Sequence, residues 1–127
     1  MEYQLQMLTY EGVRQAGRKA YEEGRLGFQH GYGTCRYVYN DSVLDDDKRC
    51  GCVVGVALTK ETAAKIVNGT INEVNVFLLV ERGYVDVPDG HEMCKIRALQ
   101  QAHDDICASG PGRKDPRIRE FVEMLYR

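Results

Sequence analysis

The sequence lacks any segment long and apolar enough to cross a membrane. No apolar run reaches the roughly 18 residues that a membrane-spanning helix requires, and the first residues, MEYQLQMLTYEG, show no basic region followed by an apolar core. A strong excess of one charge is also lacking, because 17 Lys and Arg side chains stand against 19 Asp and Glu. We therefore expect a cytoplasmic protein whose partner is neither a membrane nor a long nucleic acid.

Internal repeats, low-complexity tracts and linkers are missing as well. The chain has 127 residues, of which 43% are hydrophobic and 28% are charged, a composition typical of an ordinary globular protein. A chain of this length buries about two thirds of the surface that it exposes when unfolded. We predict a single domain over residues 1–127.

The residue pattern predicts an α+β fold that is mainly helical, with one β-hairpin. Four stretches have helical composition and recognisable ends. These helices are predicted over residues 4–25, 60–68 and 91–109, and from Pro116 to the C-terminus. Thr59 and Gly69 are expected to cap the second of them.

The hairpin is predicted from two stretches, TCRYVYN and RCGCVVGVAL, joined by a polar, acidic loop. β-branched and aromatic residues favour strands in this region. Strand alternation places Tyr37 on one face of the first strand and Arg36 on the other. We expect this hairpin, residues 34–58, to pack against the helix at residues 92–108.

Residues 71–87 leave two interpretations open. Asn72 could begin a helix that Gly83 ends, but VNVFLLV and YVDV could equally form two strands about the turn ERG. The helix is favoured because apolar side chains recur along one of its sides.

The five cysteines are an odd number, and a chain of this size does not need disulfides for stability, which favours reduced thiols. Cys50 and Cys52 are one residue apart, and Cys35 would lie on the neighbouring strand. Structural zinc requires four ligands, usually in two close pairs, and no fourth ligand stands at a recognisable spacing. A nucleophilic cysteine would need a neighbouring base or a helix N-terminus. We predict free cysteines packed in the hairpin, with neither a metal nor a cofactor.

The consecutive residues His103 and Asp104 raise the hypothesis of a metal-dependent hydrolase of a nucleotide. Helical projection places His103 in the middle of an apolar face with Ile96 and Leu99, whereas Asp104 falls about 100° round the helix. The two side chains would then not point at one ion. We predict that His103 is a core residue, satisfied by a backbone or side-chain partner.

A stripe of basic and aromatic side chains on the first predicted helix is the sharper functional signal. Arginine forks bind phosphate oxygens, and the glycine-rich stretch HGYG after the helix lets backbone approach an anion closely. The candidate ligand-binding residues are Arg14, Arg18, Tyr21, Arg25, Tyr32 and Arg36. The alternative is a solvated face on which Glu11 and Glu22 pair with the arginines.

Three glycines, Gly12, Gly17 and Gly24, are interspersed along the same predicted helix. Glycine costs about 1 kcal/mol in a helix interior, so we expect another element to approach this helix closely. A second copy of the chain is one source of that element. The protein would then be a homo-oligomer with its ligand site at a dimer interface.

Two motifs together resemble a group of small, mostly uncharacterised proteins from bacteriophages and prophages. The first is C-R-Y…R-C-x-x-V-V-G, at residues 35–37 and 49–55, and the second is L-Q-x-x-H-D, at residues 99–104. The resemblance implies a compact helical domain with a hairpin and, for a phage-encoded protein, the host cytoplasm as its location. The acidic hairpin tip and Cys52 depart from the pattern.

Small phage proteins of this size often act by binding, and some sequester nucleotide signals of bacterial immunity. By that analogy we predict a non-catalytic, anti-defence binding protein, a sponge for a phosphorylated or nucleotide ligand. Two alternatives stay open. One is the metal-dependent hydrolase that uses His103 and Asp104, and the other is an inhibitor that binds a host protein.

Overall fold

The computed structural model describes residues 5–30, 36–38, 48–69, 75–108 and 116–127. Within these ranges the chain is mainly helical, with one small sheet of two strands, so the predicted α+β class is confirmed. The helices are α1 (Tyr10–Glu22), α2 (Lys60–Asn68), α3 (Val76–Glu81), α4 (Gly90–Ala108) and α5 (Pro116–Tyr126). The strands are β1 (Gln6–Met7) and β2 (Val85–Asp86), and 3-10 turns occupy Gly27–His30 and Gly55–Ala57. No helix in the described ranges combines the length and apolar composition needed to cross a membrane.

The helices with strong local end signals lie where they were predicted. In α2 the Thr59 side chain accepts a hydrogen bond from the Thr62 N–H, and Gly69 ends the helix. The long helix α4 covers the predicted stretch as far as residue 108, the last described residue there, and α5 begins at Pro116 as expected for a proline in a first turn. Capping and apolar periodicity act within a few residues of the chain, so sequence alone was enough for these elements.

The first helix is shorter than predicted, because its first turn starts at Tyr10 after the N-cap Thr9. Residues 6–7 form β1 instead, which pairs in parallel with β2 so that Gln6 is aligned with Val85. The Leu8 N–H extends the pairing with a 2.8 Å hydrogen bond to the Asp86 carbonyl. The prediction of a helix from residue 4 is therefore wrong, since a partner strand some eighty residues away supplies these hydrogen bonds.

Residues 75–87 form a short helix followed by a short strand, so the helix and the two-strand interpretation are each correct in part. Asn75 caps α3 by accepting from the Leu78 N–H, and Gly83, at a φ of 78°, lets the chain leave the helix. β2 follows directly. The predicted cap Asn72 lies outside the described residues.

The second strand predicted for the hairpin is not a strand. Gly51 forms an isolated parallel bridge with Leu26, after which the chain turns at residues 53–54 and enters the 3-10 helix Gly55–Ala57. Val53 and Val54 are both fully buried, so the alternation of a half-buried strand is absent. Of the first predicted strand only residues 36–38 are described, and the Arg36 carbonyl accepts a 2.9 Å hydrogen bond from the Cys52 N–H.

Two glycines determine how this turn packs. A Cβ atom at Gly51 would lie 2.0 Å from the Tyr37 carbonyl oxygen, and a Cβ at Gly55 would lie 1.9 Å from the same atom. Only glycine allows the turn to close on the Tyr37 backbone in this way. Tyr37 is in turn held to α4, because its hydroxyl accepts a 2.9 Å hydrogen bond from Gln100 Nε2.

The core is built around α4, which contacts α1, α3 and α5. Gln100 links two elements there, since its Oε1 also accepts a 3.0 Å hydrogen bond from the Val76 N–H at the start of α3. Fully buried apolar side chains fill the space between the helices: Val13, Ala20, Leu79, Ile96, Leu99, Phe121 and Leu125.

The close approach predicted from the glycines of α1 is confirmed at Gly17. A Cβ there would lie 2.8 Å from Val53 Cγ2 and 2.9 Å from Leu125 Cδ2. The approaching elements are thus α5 and the 53–57 turn of the same chain. Gly12 faces the oxygen of its own cap at Thr9, and Gly24 has a φ of 72°, with open space where a side chain would begin. These glycines are explained without a second subunit.

Candidate functional site

The predicted arginine stripe is partly engaged within the chain. Arg14 forms a two-pronged ion pair with Glu11, with Nε 3.0 Å from Oε2 and Nη2 2.5 Å from Oε1. This contact holds the pKa of the Glu11 carboxyl below its ordinary value. It is the i, i+3 pairing expected of a solvated face.

The next two stripe residues contact aromatic rings. The Arg18 guanidinium lies over the Tyr126 ring of α5, 5.9 Å from the ring centroid. Tyr21 stacks on Phe28 with ring centroids 6.4 Å apart. The Tyr126 hydroxyl donates a 2.7 Å hydrogen bond to Glu22, the second acidic residue of the predicted face. The two contacts of Tyr126 attach α5 to α1.

Arg25 does not continue the stripe, because α1 ends at Glu22 and Gly24 turns the chain. Its guanidinium is turned inward, and the residue is only 8% exposed. Nη1 donates a 2.9 Å hydrogen bond to the Arg49 carbonyl, and Nε and Nη2 both donate to Glu23 Oε1. Arg36 is exposed, and Tyr32 lies outside the described residues. Of the described candidate residues, Arg14, Arg18 and Tyr21 lie on α1, whereas the Arg25 side chain is directed away from them to the Arg49 carbonyl.

Arg25 instead lines a cavity of about 240 Å³ between α1 and the start of α2. We call it the Lys19–Arg25 cavity. Its wall consists of Ala16, Lys19, Arg25, Val56, Ala57, Leu58 and Thr59. In the part of the chain that the structure describes, no ion-pair partner of the exposed Lys19 ammonium is found. An ammonium at the rim and a guanidinium in the wall make this an anion-favouring space.

Arg49 adds positive charge behind the cavity wall. Its side chain is fully buried, and its guanidinium donates to the backbone carbonyls of Gly55, at 3.1 Å, and of Leu58. Leu58 belongs to the wall, so the charge of Arg49 lies directly behind it. The Arg49 guanidinium thus holds the backbone of the cavity wall from behind.

The rim on the α2 side is held in place by Gln6 of β1. Gln6 Nε2 donates a 2.9 Å hydrogen bond to the Ala57 carbonyl, and its Oε1 accepts a 2.8 Å hydrogen bond from the Thr59 N–H. Thr59 is also the N-cap of α2, so the positive end of the helix dipole lies at this rim. The strand that sequence reasoning missed is thus one of the elements that shape the cavity.

Sequence reasoning found Arg25 and missed the other residues of this site. Lys19 follows Arg18 directly, but it lies about 100° round the helix on the side of Ala16, outside the stripe. A search for basic residues that share one side of a helix with a small residue such as Ala16 would have selected Lys19. Nothing local indicates that the Arg49 side chain is buried.

His103 is a core residue, as predicted. It is fully buried, and the rings of Phe28 and Phe121 meet it edge-on at 5.6 and 5.7 Å between centroids. Its side-chain partner is Asp104, whose Oδ1 lies 3.2 Å from His103 Nδ1. Burial opposes the charged imidazole, but the contacts with Asp104 and Cys107 outweigh it and raise the pKa of His103. An enclosed imidazole of this kind is a structural group.

The cysteines that the structure describes differ in solvent exposure. Cys52 and Cys107 are buried, Cys50 is half-buried and Cys94 is exposed, whereas Cys35 lies outside the described residues. Burial raises the pKa of both the Cys50 and the Cys52 thiols, so neither is an activated thiolate at neutral pH. In the described ranges no three His, Cys, Asp or Glu side chains are arranged to hold a metal ion.

The contact between His103 and Asp104 makes stability depend on pH. Because the folded-state pKa of His103 is raised, the folded state binds more protons than the unfolded state between the two pKa values. The stabilisation of the folded state by protonated His103 is therefore fully present below the pKa of an unfolded histidine, about 6.5. It is lost as the pH rises through the pKa that His103 has in the folded state.

We expect the melting temperature of the wild type to exceed that of Asp104→Asn most clearly at about pH 5.5, with the difference shrinking by about pH 9. Thermal unfolding followed by circular dichroism over this range measures the difference. A difference that stays constant with pH would show that His103 gains no stabilisation from protonation.

Comparison of the chain with protein-family models, with curated proteins and with solved structures finds no match.

Proposed function

We propose that this protein is a non-catalytic binding protein that holds a small ligand by a phosphate group in the Lys19–Arg25 cavity. The observation that carries the proposal is the chemistry of the cavity wall, where an exposed ammonium and a recessed guanidinium line the same space. Lysine and arginine bind phosphate oxygens by charge-assisted hydrogen bonds, which are about twice as strong as neutral ones.

The volume favours a phosphate group over a whole nucleotide. A cavity of about 240 Å³ is smaller than the roughly 300–1,000 Å³ of pockets that enclose a drug-sized ligand. The phosphate would enter the cavity, and the rest of the ligand would extend over the surface. In a phage protein of the kind that the hairpin and HD motifs resemble, such binding would withhold a nucleotide signal from host immunity.

Binding without catalysis agrees with the side chains that form the cavity. Among the described residues of its wall there is no histidine, carboxylate or thiol that could act as a general base or nucleophile. His103, the residue of the hydrolase alternative, is enclosed by Phe28 and Phe121. We therefore favour a sponge over a hydrolase.

Replacing Lys19 tests the proposal. We expect Lys19→Ala to weaken the binding of adenosine 5′-monophosphate by at least about tenfold. A charge-assisted hydrogen bond contributes about 1.5–3 kcal/mol to binding, and a loss of about 1.4 kcal/mol raises the dissociation constant tenfold. The melting temperature should hardly change, since an exposed lysine contributes little to stability. Isothermal titration calorimetry of both proteins measures the ratio.

Arg119→Ala is the matched control, because it also removes one cation but from an exposed position on α5. It should leave the affinity unchanged. If the Lys19 and Arg119 variants bind the nucleotide equally well, or if the wild type binds neither this nucleotide nor pyrophosphate, the proposed function is wrong.

A further inference from the structure

Gln6 lies in β1, yet its side chain contacts the wall of the cavity. The residues on either side of it, Leu5 and Met7, are 42% and 53% exposed, so strand alternation directs Gln6 to the opposite, inner face. There Nε2 donates to the Ala57 carbonyl at 2.9 Å and Oε1 accepts from the Thr59 N–H at 2.8 Å. One side-chain amide thus bridges two residues of the cavity wall.

These two hydrogen bonds hold the segment of residues 57–59, which forms one side of the cavity. In the part of the chain that the structure describes, neither the Ala57 carbonyl nor the Thr59 N–H has another hydrogen-bond partner. The opposite side of the cavity is formed by α1, which carries Lys19. The Gln6 amide is therefore the contact that ties both ends of the 57–59 segment to the sheet.

We infer that Gln6 is a positioning residue for the phosphate group, because its amide holds the 57–59 side of the cavity in place opposite Lys19 and Arg25. The inference rests on the proposed function and adds that the strength of binding depends on the strand β1. A preformed cavity binds more tightly than one that the ligand must first order, since ordering a segment costs free energy. Thr59 also begins α2, so the same hydrogen bonds set where the positive end of the helix dipole meets the cavity.

Two substitutions of Gln6 separate its hydrogen bonds from its bulk. Gln6→Met keeps a similar length but loses both hydrogen bonds, so we expect it to bind adenosine 5′-monophosphate about three- to tenfold more weakly than the wild type at every pH. Gln6→Glu can replace the amide only while its carboxyl is protonated, because only the acid both donates to Ala57 and accepts from Thr59. Its affinity relative to the wild type should be low at about pH 8 and should recover towards about pH 4, near the ordinary glutamate pKa of about 4.3.

Isothermal titration calorimetry of each protein measures these ratios, and the wild type at each pH accounts for protonation of the nucleotide itself. Asn75→Ala is the control for a loss of stability alone. It removes the cap that accepts from the Leu78 N–H at the start of α3, and no residue of α3 lines the cavity. This variant should melt at a lower temperature and bind the nucleotide as the wild type does.

Equal affinities of Gln6→Met and the wild type would overturn the role of Gln6. So would a Gln6→Glu variant that binds as weakly at about pH 4 as at about pH 8, or an Asn75→Ala variant that loses as much affinity as Gln6→Met. Each of these results leaves the proposed function standing as long as Lys19→Ala weakens binding. A wild type that does not bind the nucleotide would instead overturn the proposed function and this inference with it.

Discussion

Gly55→Ala is expected to lower the free energy of unfolding by about 3 kcal/mol or more, at the upper end of the cost of overpacking a core. The added Cβ would lie 1.9 Å from the Tyr37 carbonyl oxygen and 2.7 Å from its carbon. These are backbone atoms of a fully buried residue, so no side-chain rotation can relieve the clash. Tyr37 cannot shift freely either, because Gln100 holds its hydroxyl to α4.

Chemical denaturation of the wild type and the variant measures this effect, and Gly90→Ala provides the control. Gly90 is the first residue of α4, and a Cβ there would meet nothing within 4 Å. Its replacement should leave stability unchanged or raise it by about 0.5–1 kcal/mol, since alanine restricts the unfolded chain more than glycine does. If the two variants are equally stable, the 53–57 turn does not pack on Tyr37 as described.

Arg49→Ala is expected to have an effect of similar size for a different reason. The side chain is fully buried, and it donates to two backbone carbonyls, those of Gly55 and Leu58. Its removal takes this donor from the Leu58 carbonyl, at about 1–3 kcal/mol for a buried unsatisfied group, and leaves the Gly55 carbonyl with the 3.3 Å hydrogen bond from the Leu58 N–H. It also leaves a cavity. We expect a total loss of at least about 3 kcal/mol, or a fall in melting temperature of about 10 °C or more.

Arg49→Lys should recover only part of this loss, because an ammonium lacks the planar fork that reaches both carbonyls at once. Arg119→Ala is the control for the removal of an arginine from the surface. Its side chain is 87% exposed and lies 3.5 Å from Glu123, and exposed ion pairs contribute only about 0–1 kcal/mol. A thermal unfolding curve of Arg49→Ala that matches the control would place the Arg49 guanidinium in solvent.

The sequence alone determined the elements whose signals lie within a few residues of each other. Thr59 and Gly69 delimit α2 by local hydrogen bonds, and the apolar period of α4 put His103 in the core. Gly17 correctly indicated a close approach to α1, although the residue type could not tell which element approaches. Composition and these local rules were enough for the mainly helical class.

Only the tertiary structure decided the rest, because the deciding contacts join residues far apart in the chain. β1 is a strand since β2 offers it hydrogen bonds, and residues 53–57 turn since Gly51 and Gly55 close on Tyr37. The candidate site, too, was decided by tertiary contacts and not by the local sequence. Arg25 has the side chain that the stripe hypothesis required, but the turn at Gly24 directs it inward, to Arg49 and to the Lys19–Arg25 cavity. Helical projection assumes that a helix continues, and here α1 ends three residues before the arginine that defines the site.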